Sequence, residues 1–281
     1  MDTQDLPLLE YLLDLRGYLH LPNALSPQEV RDCNASLDEL ADIQPGGWKG
    51  HVHGQFKHAP TEGLNLQQIY EAGTPWERLI DHPAWFELVK HFVGGQNTFD
   101  ALHGPVFIDE NFANIRGPGQ AIGLHSGGHN GVKRTQFRFR NGGFHCGQIN
   151  ILIALTDIGP GDGGTMVIPG SHKANLPHPQ VKQQKTDAVR SVDGIYGATE
   201  VHMQAGDALL FVDAISHGSA KRVNPGERRI AVYRYGPSWG WFRHPYRPSP
   251  ALLQRLTPQQ RKIVMPHEDV LSPDKEPTHE A

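Results

Sequence analysis

The chain has 281 residues, 38% of them hydrophobic, and a formal net charge of -4. That is enough apolar material for a substantial core, and an all-β chain of this length commonly forms one domain. The mildly acidic balance offers no basic face for nucleic acid or an anionic membrane, and no apolar run is long enough to span a bilayer.

The N-terminus, MDTQDLPLLEYLL, lacks a basic n-region and does not read as a secretory signal. The two cysteines, Cys33 and Cys146, belong to no Cys-x-x-Cys pair. This argues against a disulfide framework or a thiolate zinc site, and a cytoplasmic protein with free thiols is expected. Seventeen histidines, 31 glycines and 22 prolines suit many short strands joined by turns.

Arg16–Pro22 alternates apolar and polar residues and suits a short strand. Ser26-Pro-Gln-Glu29 is a capping box with proline at the first helical position. It opens a helix over 26–42 with Val30, Cys33, Leu37 and Leu40 on one face. Residues 45–75, rich in Gly, His and Pro, read as a long loop over one mouth of the core. His51 and His53 lie in that loop with no third metal-binding partner in sequence. A second helix is expected over 83–93, with Pro83 in its first turn, an apolar stripe from Trp85 to Val93, and Gly94-Gly95 as its stop.

From about 98 to 236 the texture changes to short strands. In Gln148–Leu155, Ile149, Ile151, Ile153 and Leu155 point one way, and Gln148, Asn150, Leu152 and Ala154 the other. Thr165–Ile168, Ala208–Val212 and Ile230–Tyr235 are further strands. No long helix interrupts them, which favours an antiparallel double-sheet barrel of the jelly-roll type over βαβ units. Thr257-Pro-Gln-Gln260 is a second capping box, within a C-terminal helical addition over 250–265. With no linker or repeat to split the chain, one domain over 1–281 is expected.

Within this frame stand Ile122–Gly131 (IGLHSGGHNG), Pro169-Gly-Ser-His172, Ser216-His-Gly-Ser219, and Arg228 eleven residues beyond His217. In this order, over about residues 16–260, they resemble the phytanoyl-CoA dioxygenase family of iron(II)/2-oxoglutarate enzymes. The strand–turn–capped-helix opening is also similar to that family's N-terminus. The resemblance implies a mainly β fold: a double-stranded β-helix, jelly-roll and cupin-like, with flanking N- and C-terminal helices. It implies His125 and His217 as metal ligands, and Arg228 as the bidentate partner of the distal carboxylate of 2-oxoglutarate, supported by Ser219. Arg229 should point the other way. The activity implied is oxidative decarboxylation of 2-oxoglutarate coupled to cleavage of an unactivated C–H bond in a small organic substrate.

One position departs from the family pattern. The metal triplet is usually His-x-Asp or His-x-Glu, giving two histidines and a carboxylate. Here the residue two beyond His125 is Gly127. Three readings are open. Chloride fills the vacant carboxylate position at Gly127, as in the 2-oxoglutarate-dependent halogenases that the triplet resembles. Water or a nearby group such as His129 completes the shell and the protein oxygenates. Or iron is lost and the barrel is a non-catalytic binding protein. A zinc hydrolase would need three good ligands where two can be named.

His172 reads as a structural turn residue, and His145 and Cys146 as neighbours of the Gln148 strand. The 45–75 loop, Trp239-Gly-Trp241 and the basic residues at 134, 138 and 140 are candidate substrate walls. The pattern of those basic residues equally suits a solvated strand face.

Overall fold

A computed structural model of the chain describes residues 5–55, 60–95, 103–127, 136–181, 189–240 and 246–266. Its strands are β1 (Tyr18–Leu21), β2 (Trp48–Lys49), β3 (Val52–Gly54), β4 (Leu64–Gln67), β5 (Phe107–Arg116), β6 (Phe139–Arg140), β7 (Gly143–Phe144), β8 (Ile149–Ala154), β9 (Thr165–Val167), β10 (Thr199–Val201), β11 (Ala208–Val212), β12 (His217–Ser219) and β13 (Arg228–Gly236). An eight-stranded sheet runs β1-β11-β8-β13-β5-β4-β3-β2, and a three-stranded sheet β10-β9-β12. Every paired strand is antiparallel. The architecture is the expected one: mainly β, double-sheeted, with flanking helices.

Side-chain alternation along β13 divides the molecule into layers. Arg228, Ile230, Val232 and Arg234 face a cavity that also borders β12 and β9. Tyr233 and Tyr235 face away, towards the helices. Tyr233 Oη donates to the Trp76 carbonyl (2.7 Å) and Tyr235 Oη to the Ile80 carbonyl (3.0 Å). Trp85 Nε1 donates to Tyr235 Oη (3.2 Å). Each buried aromatic thus brings its polar handle to a partner.

Helix α2 (Pro27–Leu40) packs on this outer side. Its capping box is complete, with Glu29 N–H donating to Ser26 Oγ and Ser26 N–H to Glu29 Oε2. Val30, Cys33, Leu37 and Leu40 are its buried residues. Asn34 Nδ2 donates to the Leu155 carbonyl at 2.8 Å. Cys33 and Cys146 are both buried free thiols, and burial pushes the Cys33 thiol up to about 12.

An N-terminal helix that the sequence reading did not identify, α1 (Leu6–Arg16), precedes the first strand, capped by Asp5 and ended by Gly17 at φ +81°. Three expectations are corrected. The stretch 45–75 is no simple loop: β2, β3 and β4 extend the large sheet from β5. The short helix α3 (Thr74–Glu77) follows them. Helix α4 runs Phe86–Val93 and starts after Pro83, because Trp85 has the non-helical dihedrals φ -139°, ψ -17°. The C-terminal addition is two helices, α5 (Pro250–Arg255) and α6 (Pro258–Val264). Leu256 and Thr257 are extended between them, and Thr257 is held so because a residue before proline is driven out of the helical region. The capping box at Thr257 is present.

Candidate active site

The segment Ile122–Gly127 lies along β12 and is pinned there by its backbone. His125 and His217 exchange both backbone hydrogen bonds, each 2.8 Å. Ser219 N–H donates to the Ile122 carbonyl (2.9 Å), and Gly127 N–H to the Asp213 carbonyl (2.9 Å). The approach is close because Gly218 has no side chain. A Cβ there would lie 2.5 Å from Val192 Cγ2 and 2.7 Å from the carbonyl oxygens of Ile122 and Gly123.

This pairing sets the two imidazole rings side by side, with centroids 4.1 Å apart. His125 Nδ1 lies 2.9 Å from the Gly123 carbonyl, and His217 Nδ1 2.9 Å from the Ile215 carbonyl. A carbonyl can only accept, so in each ring Nδ1 carries the hydrogen and Nε2 keeps its lone pair. Each histidine is oriented by the carbonyl two residues before it, the arrangement that readies an imidazole for a metal.

Burial, and after it the neighbouring His125, lower the pKa of His217 to about 3 against the opposing Asp213 carboxylate. The direction is the same for His125, where burial acts against the Gly123 hydrogen bond and the Asp213 charge. His125 nevertheless keeps an edge open to water, which still solvates its charged form. Both rings are therefore neutral near pH 7.

His125 and His217 open into a cavity of about 70 Å³ between the sheets. Phe112, Leu152, Phe211, Ile230 and Val232 form apolar walls, and the far end is cationic. There Arg228 is 1% exposed, with Nη2 donating to Thr165 Oγ1 at 3.2 Å. Its Nε and Nη1 are buried with no hydrogen-bond partner. Ser219 lies across from Thr165 in the β12–β9 register. Arg229 points outward to Asp38 (2.7 Å) and Glu227 (2.9 Å), as alternation requires. At the histidine end Arg234 pairs with Glu110 at 3.1 Å, and its charge disfavours protonation of both histidines.

The residues present fit a metal with an oxo-acid cosubstrate. Two neutral imidazoles offer free Nε2 atoms, and a buried guanidinium has unpaired donors at the other end of one cavity. Among the described residues no group of three or more His, Cys, Asp or Glu is placed to hold a metal, so the two imidazoles are the candidate ligands among them. Gly127 brings no carboxylate to the site, and His129 lies outside the described residues.

Several residues had no signal in sequence. Thr165 ends a Gly-rich turn, and Arg116 reads as a polar strand end. Asp213, 3% exposed, accepts from Asn150 Nδ2 at 3.0 Å. His172 is away from the cavity, with Nε2 3.0 Å from the Asp14 carbonyl and its ring edge-on to Phe137. His53 stacks on Trp48 at 4.4 Å. Arg138, Arg140, His145 and Trp239 line a separate cleft of about 330 Å³ beside Gly147 and Pro237. Arg134 and Trp241 are outside the described residues.

The fold is that of the 2-oxoglutarate-dependent enzymes. HygX from Streptomyces hygroscopicus, solved with nickel and 2-oxoglutarate bound, is similar over 82% of this chain and 86% of its own, at 22% identity and TM-score 0.65. The 2-oxoglutarate-dependent epimerase SnoN from nogalamycin biosynthesis is similar over 84% and 85%, at 15% identity and TM-score 0.59.

The chain belongs to the phytanoyl-CoA dioxygenase (PhyH) family, whose sequence pattern matches residues 13–230. An ectoine dioxygenase of Nocardia farcinica is 34% identical over 95 residues, which cover 28% of this chain and 32% of that protein. The dioxygenase cdmD of Talaromyces verruculosus is 32% identical over 88 residues, covering 31% and 24%. The matched segments thus span about a third or less of these two curated relatives.

Proposed function

We propose that the chain is an Fe(II)/2-oxoglutarate-dependent oxidoreductase that acts on an unactivated C–H bond of a small organic substrate. One observation carries this reading: the free Nε2 atoms of His125 and His217 share a cavity with the unpaired Nε and Nη1 of Arg228. Family membership and the fold shared with 2-oxoglutarate enzymes support it.

In this reading His125 and His217 hold the ion, and Arg228, Ser219 and Thr165 take the distal carboxylate of 2-oxoglutarate. When bound, iron with 2-oxoglutarate and oxygen supplies the oxidising power that the side chains lack. The chain's own residues orient and exclude. The Gly123 and Ile215 carbonyls fix the tautomer of each ligand ring. Phe211, Ile230 and Val232 keep bulk water from the space between the histidines and Arg228. The cleft beside Trp239, at about 330 Å³, has the size of a small-molecule pocket.

Gly127 supports a second reading, halogenation. An anion such as chloride would occupy the position left by the missing carboxylate.

The test is iron- and oxygen-dependent conversion of 2-oxoglutarate to succinate, with and without chloride. Succinate formation that is sharply weakened in Arg228→Ala supports the oxidoreductase, and chloride-dependent chlorinated product supports halogenation. No succinate under any condition leaves a binding protein that has lost iron.

A further inference from the structure

Arg116 is buried to 1% exposure at the cationic end of the cavity. It pairs with Arg228 in the β5–β13 register, so two guanidiniums stand on neighbouring strands of one sheet face. Like charges placed directly opposite are destabilising; burial lowers the affinity of both guanidiniums for their protons, and the Arg116 charge lowers that of Arg228 further. Their hydrogen bonds go to Ser219 Oγ, Thr165 Oγ1 and the Glu62 carbonyl, none to a carboxylate among the described residues. The carboxylates of Glu62 and Glu200 act on them only at longer range.

Ser219 sharpens the point. Its Oγ accepts from Arg116 Nη1 at 2.8 Å and from Ile122 N–H at 2.9 Å. A hydroxyl has two acceptor lone pairs and one hydrogen. Both lone pairs are taken, so the hydrogen must be donated, and no described residue accepts it. Arg116 therefore turns Ser219 into an obligatory donor beside the unpaired nitrogens of Arg228. Two buried cations and three unused donors converge where no carboxylate of the described residues bonds to them.

We propose that Arg116, Arg228 and Ser219 form a carboxylate site that binds a short dicarboxylate without metal, with Arg116 as the residue that positions Ser219 and supplies the second charge. This rests on the reading of Arg228 and Ser219 as the 2-oxoglutarate anchor. It adds that docking there does not wait for iron.

The experiment is thermal unfolding of metal-free, chelator-treated full-length protein with 2-oxoglutarate, succinate or butyrate, repeated with Fe(II) under anaerobic conditions. The wild type should be stabilised by 2-oxoglutarate and succinate without metal, and much less by butyrate. Arg116→Met should raise the succinate dissociation constant roughly tenfold or more, as loss of a charge-assisted contact does. Its unliganded Tm should equal or exceed that of the wild type, because a buried like-charge pair is gone; a merely structural arginine would give the opposite sign. Arg116→Lys, which keeps the charge and loses the fork, should weaken succinate less than Arg116→Met, and serves alone if the methionine variant does not fold. Wild-type succinate affinity in these variants overturns the role of Arg116. Stabilisation of the wild type only when Fe(II) is present overturns metal-independent docking and leaves the oxidoreductase reading standing. No stabilisation in either condition removes both.

Discussion

His125 and His217 are joined twice, by a reciprocal pair of 2.8 Å backbone hydrogen bonds and by imidazole rings 4.1 Å apart. The first contact explains the second. A bridge between a loop and a three-residue strand fixes both Cα positions, and a carbonyl two residues upstream then sets each ring. Replacing His217 with Ala should lower iron affinity by at least about 100-fold, more than the loss of an outer-shell partner costs. Succinate formation should fall with it. Normal turnover in that variant would remove His217 from the metal site.

Gly218 controls the same bridge without touching a ligand. A methyl group there meets two carbonyl oxygens at 2.7 Å, and these belong to backbone that cannot swing aside. Gly218→Ala should destabilise the fold by about 1–3 kcal/mol through overpacking. It should also weaken iron binding, by pushing the His125 segment away from β12. A variant as stable as wild type, with unchanged iron affinity, would show that the close approach is dispensable.

Gly127 bears on the choice of chemistry. Its backbone is held by the Asp213 carbonyl, two residues beyond His125. Gly127→Asp should tighten iron binding by adding a carboxylate to two imidazoles, and should suppress any chlorinated product. Chlorination that persists unchanged in Gly127→Asp would place the chloride elsewhere.

His172 is a structural histidine with a pH signature. Burial lowers its pKa from 6.5 to about 4, against the opposing hydrogen bond to Asp14. The unfolded chain therefore takes up the proton first as pH falls. Its contribution to stability is fully present above about pH 6.5 and is lost on the way down to about pH 4, amounting to at most about 3 kcal/mol. His217 acts in the same direction, so the comparison is with His172→Gln. The stability gap between wild type and this variant should shrink from pH 7 to pH 4 in denaturant unfolding. A gap independent of pH would mean that His172 does not titrate in this window.

Much of this was legible in the chain because it is local. Capping boxes at Ser26 and Thr257, alternation along β8, and the eleven-residue step from His217 to Arg228 are short-range signals. The strands β2 to β4 were not legible, since runs of two to four residues are too short to establish a period and owe their conformation to successive pairing, β2 on β3, β3 on β4 and β4 on β5. Arg116 was invisible for a related reason. An arginine at a strand end normally lies at the surface, and only the register that sets it against Arg228 buries it. Thr165 and Asp213 enter the site region by the same long-range route.

The most direct measurement is an anaerobic titration of metal-free protein with Fe(II) and 2-oxoglutarate, followed by visible absorption. The expected result is a charge-transfer band that requires both components, is lost in His217→Ala, and needs far more 2-oxoglutarate in Arg228→Ala. Absence of the band from wild-type protein at saturating iron and 2-oxoglutarate would contradict a two-histidine iron site with its cosubstrate anchored on Arg228.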